Sequence, residues 1–249
     1  MKRAMVFLTA EWRHLTMLNY EVDPLLLVRY LPSGTHLDSW GGKTFVSLVG
    51  FRFLNTRVLG CPIPYHRNFD EVNLRFYVKR VTDDGEVRRG VVFIKEIVPR
   101  RAIAVIARRF YNENYVALPM RHRIDLPDTP ERAGTVAYDW RLPTRWNSLS
   151  AEVDGLSAIP DENTEASFIT EHYWGYTKQR DGSTLEYEVE HPPWHVWRAR
   201  SAALDCDVAR LYGADFVPFL LSTPTSACVA AGSPIKVRWG QSINTSARH

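Results

Sequence analysis

Polar and apolar residues alternate cleanly at one place in the chain. In Val72-Asn73-Leu74-Arg75-Phe76-Tyr77-Val78-Lys79, the residues Val72, Leu74, Phe76 and Val78 fall on one face of an extended segment. Asn73, Arg75, Tyr77 and Lys79 fall on the other, and strict alternation adds Glu71 to the polar side. The pattern predicts a strand over 65–80 that is covered on at least one face. A turn at Asp83-Asp84-Gly85 follows, then a second strand over 90–98 that is apolar on both faces until Lys95 and Glu96. Pro99 stops it, and 100–111 reads as helix.

The same reading extends along the rest of the chain. Residues 4–22 are extended. Asp23 and Pro24 open a short helix that Pro32 ends. The β-formers of 44–59 predict a strand with a bulge at Gly50. Further strands are predicted at 116–126, 134–142 and 149–158. A helix at 163–171 has Asn163 as its candidate N-cap. A hairpin then turns at Asp181-Gly182, and a strand covers 194–202. Another helix starts at Asp205 or Asp207 and is closed by Gly213, and a last strand spans 235–243. Many short strands joined by turns, with few helices, predict a mainly antiparallel barrel or strongly curved sheet. No internal repeat or linker divides the chain, so one domain over 1–249 is expected.

Composition changes this picture little. The chain has 249 residues, 45% of them hydrophobic and 12% aromatic, which is ample for a large core. A net charge of +3 argues against a dedicated nucleic-acid binder. Three cysteines, Cys61, Cys206 and Cys228, lack metal or redox spacing and predict a reduced, cytoplasmic setting. No apolar run is long enough to span a membrane as a helix. Oligomeric state is left open.

Candidate chemistry centres on four places. Arg100-Arg101 sits where a buried strand gives way to a helix. There it can clamp a carboxylate or phosphate, or simply be a surface pair. Glu71, with Asn73 and Arg75, lies on a face turned either to solvent or to a polar cavity, and a desolvated Glu71 can act as an acid or base. His172, His191 and His195 lack the spacing of helical metal sites and read as aromatic packing, so no metal is expected. Lys95 reads as a snorkelling or ion-paired lysine, against a Schiff-base reading through a lowered pKa. There is no nucleophile elbow, phosphate loop or dinucleotide fingerprint, and no cofactor is expected.

The segments "FLTAEWRHLTMLNYEVDP", "VSLVGFRFLNTRVLG", "RNFDEVNLRFYV", "RGVVFIKEIVPRRAIA", "ALPMRHR", "EHYWGY" and "DVARLYG" resemble the YqjF-like family of bacterial proteins of unknown function. The likeness covers nearly the whole chain and implies no activity. The order of elements also resembles the acetoacetate decarboxylase-like fold. That resemblance implies an α+β, mainly β class, an antiparallel barrel or cone with a few short flanking helices. Decarboxylase-like members carry a Glu-(Ile/Leu)-x-x-(Tyr/Phe)-Pro-Lys-Lys motif. "EIVPRRAIA" is shorter before the proline and puts Arg100 at the nucleophile position and Arg101 beside it. A guanidinium cannot form an imine, so the resemblance implies a cationic corner without its amine. The expected site has Glu71 and Arg100 as catalytic residues. Arg101, Arg75, Tyr173 and Tyr176 bind a small anionic or oxo ligand. A lyase, hydratase, isomerase or hydrolase reaction stands against a non-catalytic barrel that senses or carries a small anionic or aromatic ligand.

Overall fold

The computed structural model describes residues 4–63, 66–99, 114–129 and 131–243. The first strands are β1 (Val6–Glu21), β2 (His36–Leu37), β3 (Phe45–Val58), β4 (Cys61–Pro62), β5 (Phe69–Val81) and β6 (Val87–Val98). There follow β7 (Tyr115–Ala117), β8 (Met120–Asp125), β9 (Ala133–Arg141) and β10 (Trp146–Asp154). The last are β11 (Trp174–Lys178), β12 (Thr184–Glu190), β13 (Val196–Asp205), β14 (Ser226–Arg238) and β15 (Gln241–Ile243). Among the described residues the α-helices are short: α1 (Glu165–Thr170), α2 (Val208–Tyr212) and α3 (Val217–Leu220).

The strands β12, β11, β6, β5, β3, β1 and β14 follow one another in that order, and β14 pairs back onto β12 through Val189–Val237 and Glu190–Lys236. The sheet therefore closes into a ring. Its pairings are antiparallel except for β6 with β11. β14 also pairs with β13, and β13, β10, β9 and β8 form a second antiparallel layer. Closure removes the open edges that a sheet of this size would otherwise expose.

β5 is the hinge of the design. Its apolar face, Val72, Leu74, Phe76 and Val78, packs in one core with Val136, Tyr138, Trp140, Leu149 and Val153 of the second layer. Its polar face turns into the ring, so residues 69–78 are buried on both sides. Gly50 on β3 lets the two layers close up: a Cβ there would stand 2.6 Å from the Tyr138 ring. The extra residue in this region sits on β1 rather than at Gly50, where the register against β3 shifts between Arg13 and Thr16 around His14 (φ 56°).

Other boundaries differ from the sequence expectations for local reasons. The 23–32 segment is a 3-10 turn, Pro24–Tyr30, with Asp23 accepting the Leu25 N–H. Thr164 caps α1, while Asn163 takes a left-handed turn (φ 62°). Pro119 divides the predicted 116–126 strand, so β7 stays on the ring and β8 joins the second layer. The last long strand starts at Ser226, well before 235. Small residues weaken the strand signal there, but they fit a crowded site: at Gly232 (φ 78°) a Cβ would lie 2.0 Å from the Trp12 carbonyl oxygen. Among the described residues no helix is long and apolar enough to cross a membrane.

Candidate functional site

The ring holds a partly open cavity of about 160 Å³. Period-two geometry on β5 turns Glu71, Asn73 and Arg75 toward it. Register then adds neighbours: Asn73 stands opposite Glu96 of β6, and Glu96 opposite Tyr115 of β7. All of them line the cavity. Glu71 is 3% exposed. Its Oε1 accepts from Asn73 Nδ2 at 3.0 Å, and its Oε2 accepts a long hydrogen bond from the Tyr115 hydroxyl at 3.5 Å.

Arg75 is 8% exposed. Its Nη2 donates to the Ile169 carbonyl at 3.3 Å and contacts Met17 Sδ at 3.9 Å, and its guanidinium lies 5.7 Å from the centre of the Tyr77 ring. Ile169 belongs to the last turn of α1, whose carbonyls lack helical partners and carry partial negative charge. Among the described residues Arg75 makes no ion pair, and its buried Nε has no partner. A buried guanidinium normally finds a carboxylate; this one is held by a helix end, a sulfur and an aromatic face.

His172 follows α1 and packs beside the same ring, 4.7 Å from Tyr77 and 5.4 Å from Phe168. Among the described residues neither ring nitrogen meets a hydrogen-bond partner. Burial first, and the Arg75 charge second, hold its pKa well below the ordinary histidine range, so the ring is neutral at physiological pH.

Of the residues singled out from sequence, Glu71 and Arg75 meet at the cavity. Arg100 and Arg101 lie outside the described residues, as does the helix expected at 100–111. Tyr173 and Tyr176 do not line the cavity. Tyr173 donates to the Glu171 carboxylate and stacks on His191 at 4.7 Å. On β11 it is Gly175 that faces inward, and Tyr176 turns to the core between the layers, where its hydroxyl donates to the Arg88 carbonyl at 3.3 Å. Lys95 also faces away. Its Nζ donates to the Leu211 carbonyl in the last turn of α2, and burial lowers its pKa. Only Lys2 of the six lysines lies outside the described residues, and none of the other five lines the cavity.

Sequence reasoning missed Tyr115, which sits on a three-residue strand with no pattern of its own. The inward aim of Glu96 had a signal: a glutamate, 1% exposed here, inside a strand apolar on both faces.

A profile of the DUF2071 family, described as an uncharacterized conserved protein, matches residues 9–234, and the chain belongs to that family. The uncharacterized protein YqjF of Bacillus subtilis (strain 168) is 27% identical over 197 residues, 76% of this chain and 75% of that protein. Among solved structures, an acetoacetate decarboxylase-like enzyme from Sphingomonas wittichii RW1 superposes with a TM-score of 0.68 at 11% identity, covering 96% of this chain and 94% of that one. The enduracididine biosynthesis enzyme MppR complexed with pyruvate gives 0.64 at 13% identity, over 98% and 92%. At such identities the likeness is one of fold, and the fold is acetoacetate decarboxylase-like.

Proposed function

We propose that the protein is a small-molecule enzyme acting on a small oxo or carboxylate compound inside the ring, without a lysine Schiff base. The observation that carries this reading is Glu71, a carboxylate almost fully removed from water, on the cavity wall and on the same strand face as an arginine that has no ion-pair partner among the described residues. Arg75 holds the anionic group of the ligand. Glu71, held by Asn73 and Tyr115, moves a proton at the neighbouring carbon or oxygen. With no described lysine at the cavity, the chemistry belongs to proton transfer with electrostatic stabilisation, as in lyase, hydratase, isomerase or hydrolase reactions. Arg100 and Arg101 remain candidates for a second anion contact. The pyruvate bound by MppR is consistent with a carboxylate ligand in this fold. A cytoplasmic setting, consistent with three free thiols, is part of the reading.

The test is a panel of small oxo, hydroxy and unsaturated carboxylates followed by proton NMR, with binding read in parallel by calorimetry. Glu71→Gln is expected to keep binding and to lower turnover by about 100-fold or more. Binding without turnover of any compound by the wild-type protein would instead make the cavity that of a sensor or carrier.

A further inference from the structure

The wall of the cavity changes character along β5. Phe69 stands opposite Phe53, Glu71 opposite Phe51, Asn73 opposite Val49, and Arg75 opposite Ser47. On the next strand Trp12 stands opposite Phe53, and Met17 opposite Val49. The ring interior therefore has an aromatic end, a carboxylate partway along, and a guanidinium at the other end.

The aromatic end is a packed cluster. The Trp12 ring lies 5.6 Å from Phe51, 5.9 Å from Phe53 and 6.3 Å from Trp194, and Phe53 stacks on Phe69 at 4.6 Å. All five line the cavity. At the other end, Arg75 is the only arginine or lysine lining the cavity among the described residues. It offers one positive charge, while Glu71 and Glu96 stand nearby on the same wall. One guanidinium takes one carboxylate as a bidentate pair, so the charge of the described wall matches one carboxylate. The volume, about 160 Å³, is near the ~150 Å³ of an apolar cavity that admits one benzene ring. Phe51 stands opposite Glu71, four residues or about 13 Å along β5 from Arg75 at ~3.3 Å per residue. A three-carbon acid held by Arg75 leaves the aromatic end unfilled.

We infer that the ligand of this cavity is a monocarboxylate carrying one aromatic ring, or a branched hydrocarbon group of that size, with its carboxylate on Arg75 and its ring against Trp12, Phe51, Phe53, Phe69 and Trp194. The short chain between carboxylate and ring then passes Glu71. This inference rests on reading the cavity as a small-molecule site and narrows its substrate class from any small carboxylate to an amphiphilic one. The neutral His172 adds a donor and an acceptor beside Arg75, which suits a hydroxyl or oxo group next to the carboxylate.

The test is calorimetric titration of the full chain with 3-phenylpropionate, 3-phenylpropionamide and propionate. The acid is expected to bind about 10- to 100-fold more tightly than the amide, the span of a charge-assisted hydrogen bond. Removing the ring, in propionate, is expected to cost a similar factor through lost apolar burial. Arg75→Met should abolish the preference for acid over amide. Far-UV circular dichroism checks that the variant folds, and the three-ligand comparison in the wild-type protein stands without it. Equal binding of acid and amide, equal binding of propionate and 3-phenylpropionate, or no saturable binding by any of the three overturns the inference. The acid preference without turnover of any carboxylate leaves it standing while removing the enzyme reading. Turnover of carboxylates limited to short, ring-free acids keeps the enzyme reading and overturns this one.

Discussion

Tyr77 Oη lies 2.6 Å from Ser47 Oγ across two neighbouring strands of the ring. Ser47 gives its own proton to Asn19 Oδ1 at 2.6 Å, so Tyr77 is the donor of the pair. Asn19 Nδ2 in turn donates to Ser226 Oγ at 2.9 Å. The chain of hydrogen bonds ties β5, β3, β1 and β14 together behind Arg75. Tyr77→Phe is expected to destabilise the fold by about 1–2 kcal/mol, since it leaves buried polar atoms short of a partner. Urea denaturation measures this. Ser47→Ala and the double variant should show strong non-additivity, because both single changes break the same link; additive losses would mean that the hydroxyls do not act together.

Acid should weaken the protein through its histidines. Burial, as the largest cause in each case, lowers the pKa values of His14, His172 and His191. An unfolded histidine titrates near 6.5, so below that pH the unfolded chain binds more protons than the folded one. Stability is then full above about pH 6.5 and falls as the pH drops below it, by up to ~1.4 kcal/mol per pH unit for each such histidine. His172→Phe, which keeps the contact with Tyr77, should flatten this slope between pH 6.5 and 5 by close to one proton. An unchanged slope would show that His172 is protonated in the folded state.

No lysine should form an imine here. Borohydride reduction in the presence of acetoacetate is expected to leave the protein mass unchanged. An adduct mapped to Lys95 would require that side chain to leave the Leu211 carbonyl and cross to the other face of β6, and would restore an amine mechanism.

Gly175 leaves room for a neighbour. A Cβ there would meet the Tyr187 ring at 2.1 Å. Gly175→Ala is expected to cost about 1–3 kcal/mol by overpacking. Adding Tyr187→Leu should recover part of that loss, and thermal melts of the single and double variants decide it.

The alternation of 72–78 was visible in the sequence and placed β5 correctly. Whether its polar face met water or a cavity was not, since solvent and a polar interior demand the same period. Arg75 was equally visible, but its lack of an ion pair among the described residues was not. Its surroundings come from Met17 and Ile169, 58 and 94 residues away, and no local pattern records who is missing from such a neighbourhood. Ser226–Ser233 escaped notice because small residues signal a strand weakly, although contacts such as Gly232 against Trp12 require them. The arginine pair carries a sharp chemical signal and lies outside the described residues. Tyr173 and Tyr176 stand in a stretch dense in aromatics, and density does not reveal direction.

One strand, β5, has no wet side over residues 69–78. It is a party wall: one room is the cavity of the ring, and the other is the hydrophobic core shared with β9 and β10. A molecule that occupies the chamber stabilises the folded state as a whole, and it stiffens a partition on which the far room also leans. Occupancy would thus be felt in strands that never touch the guest, and damage to the far room would loosen the guest's quarters without altering any residue it meets.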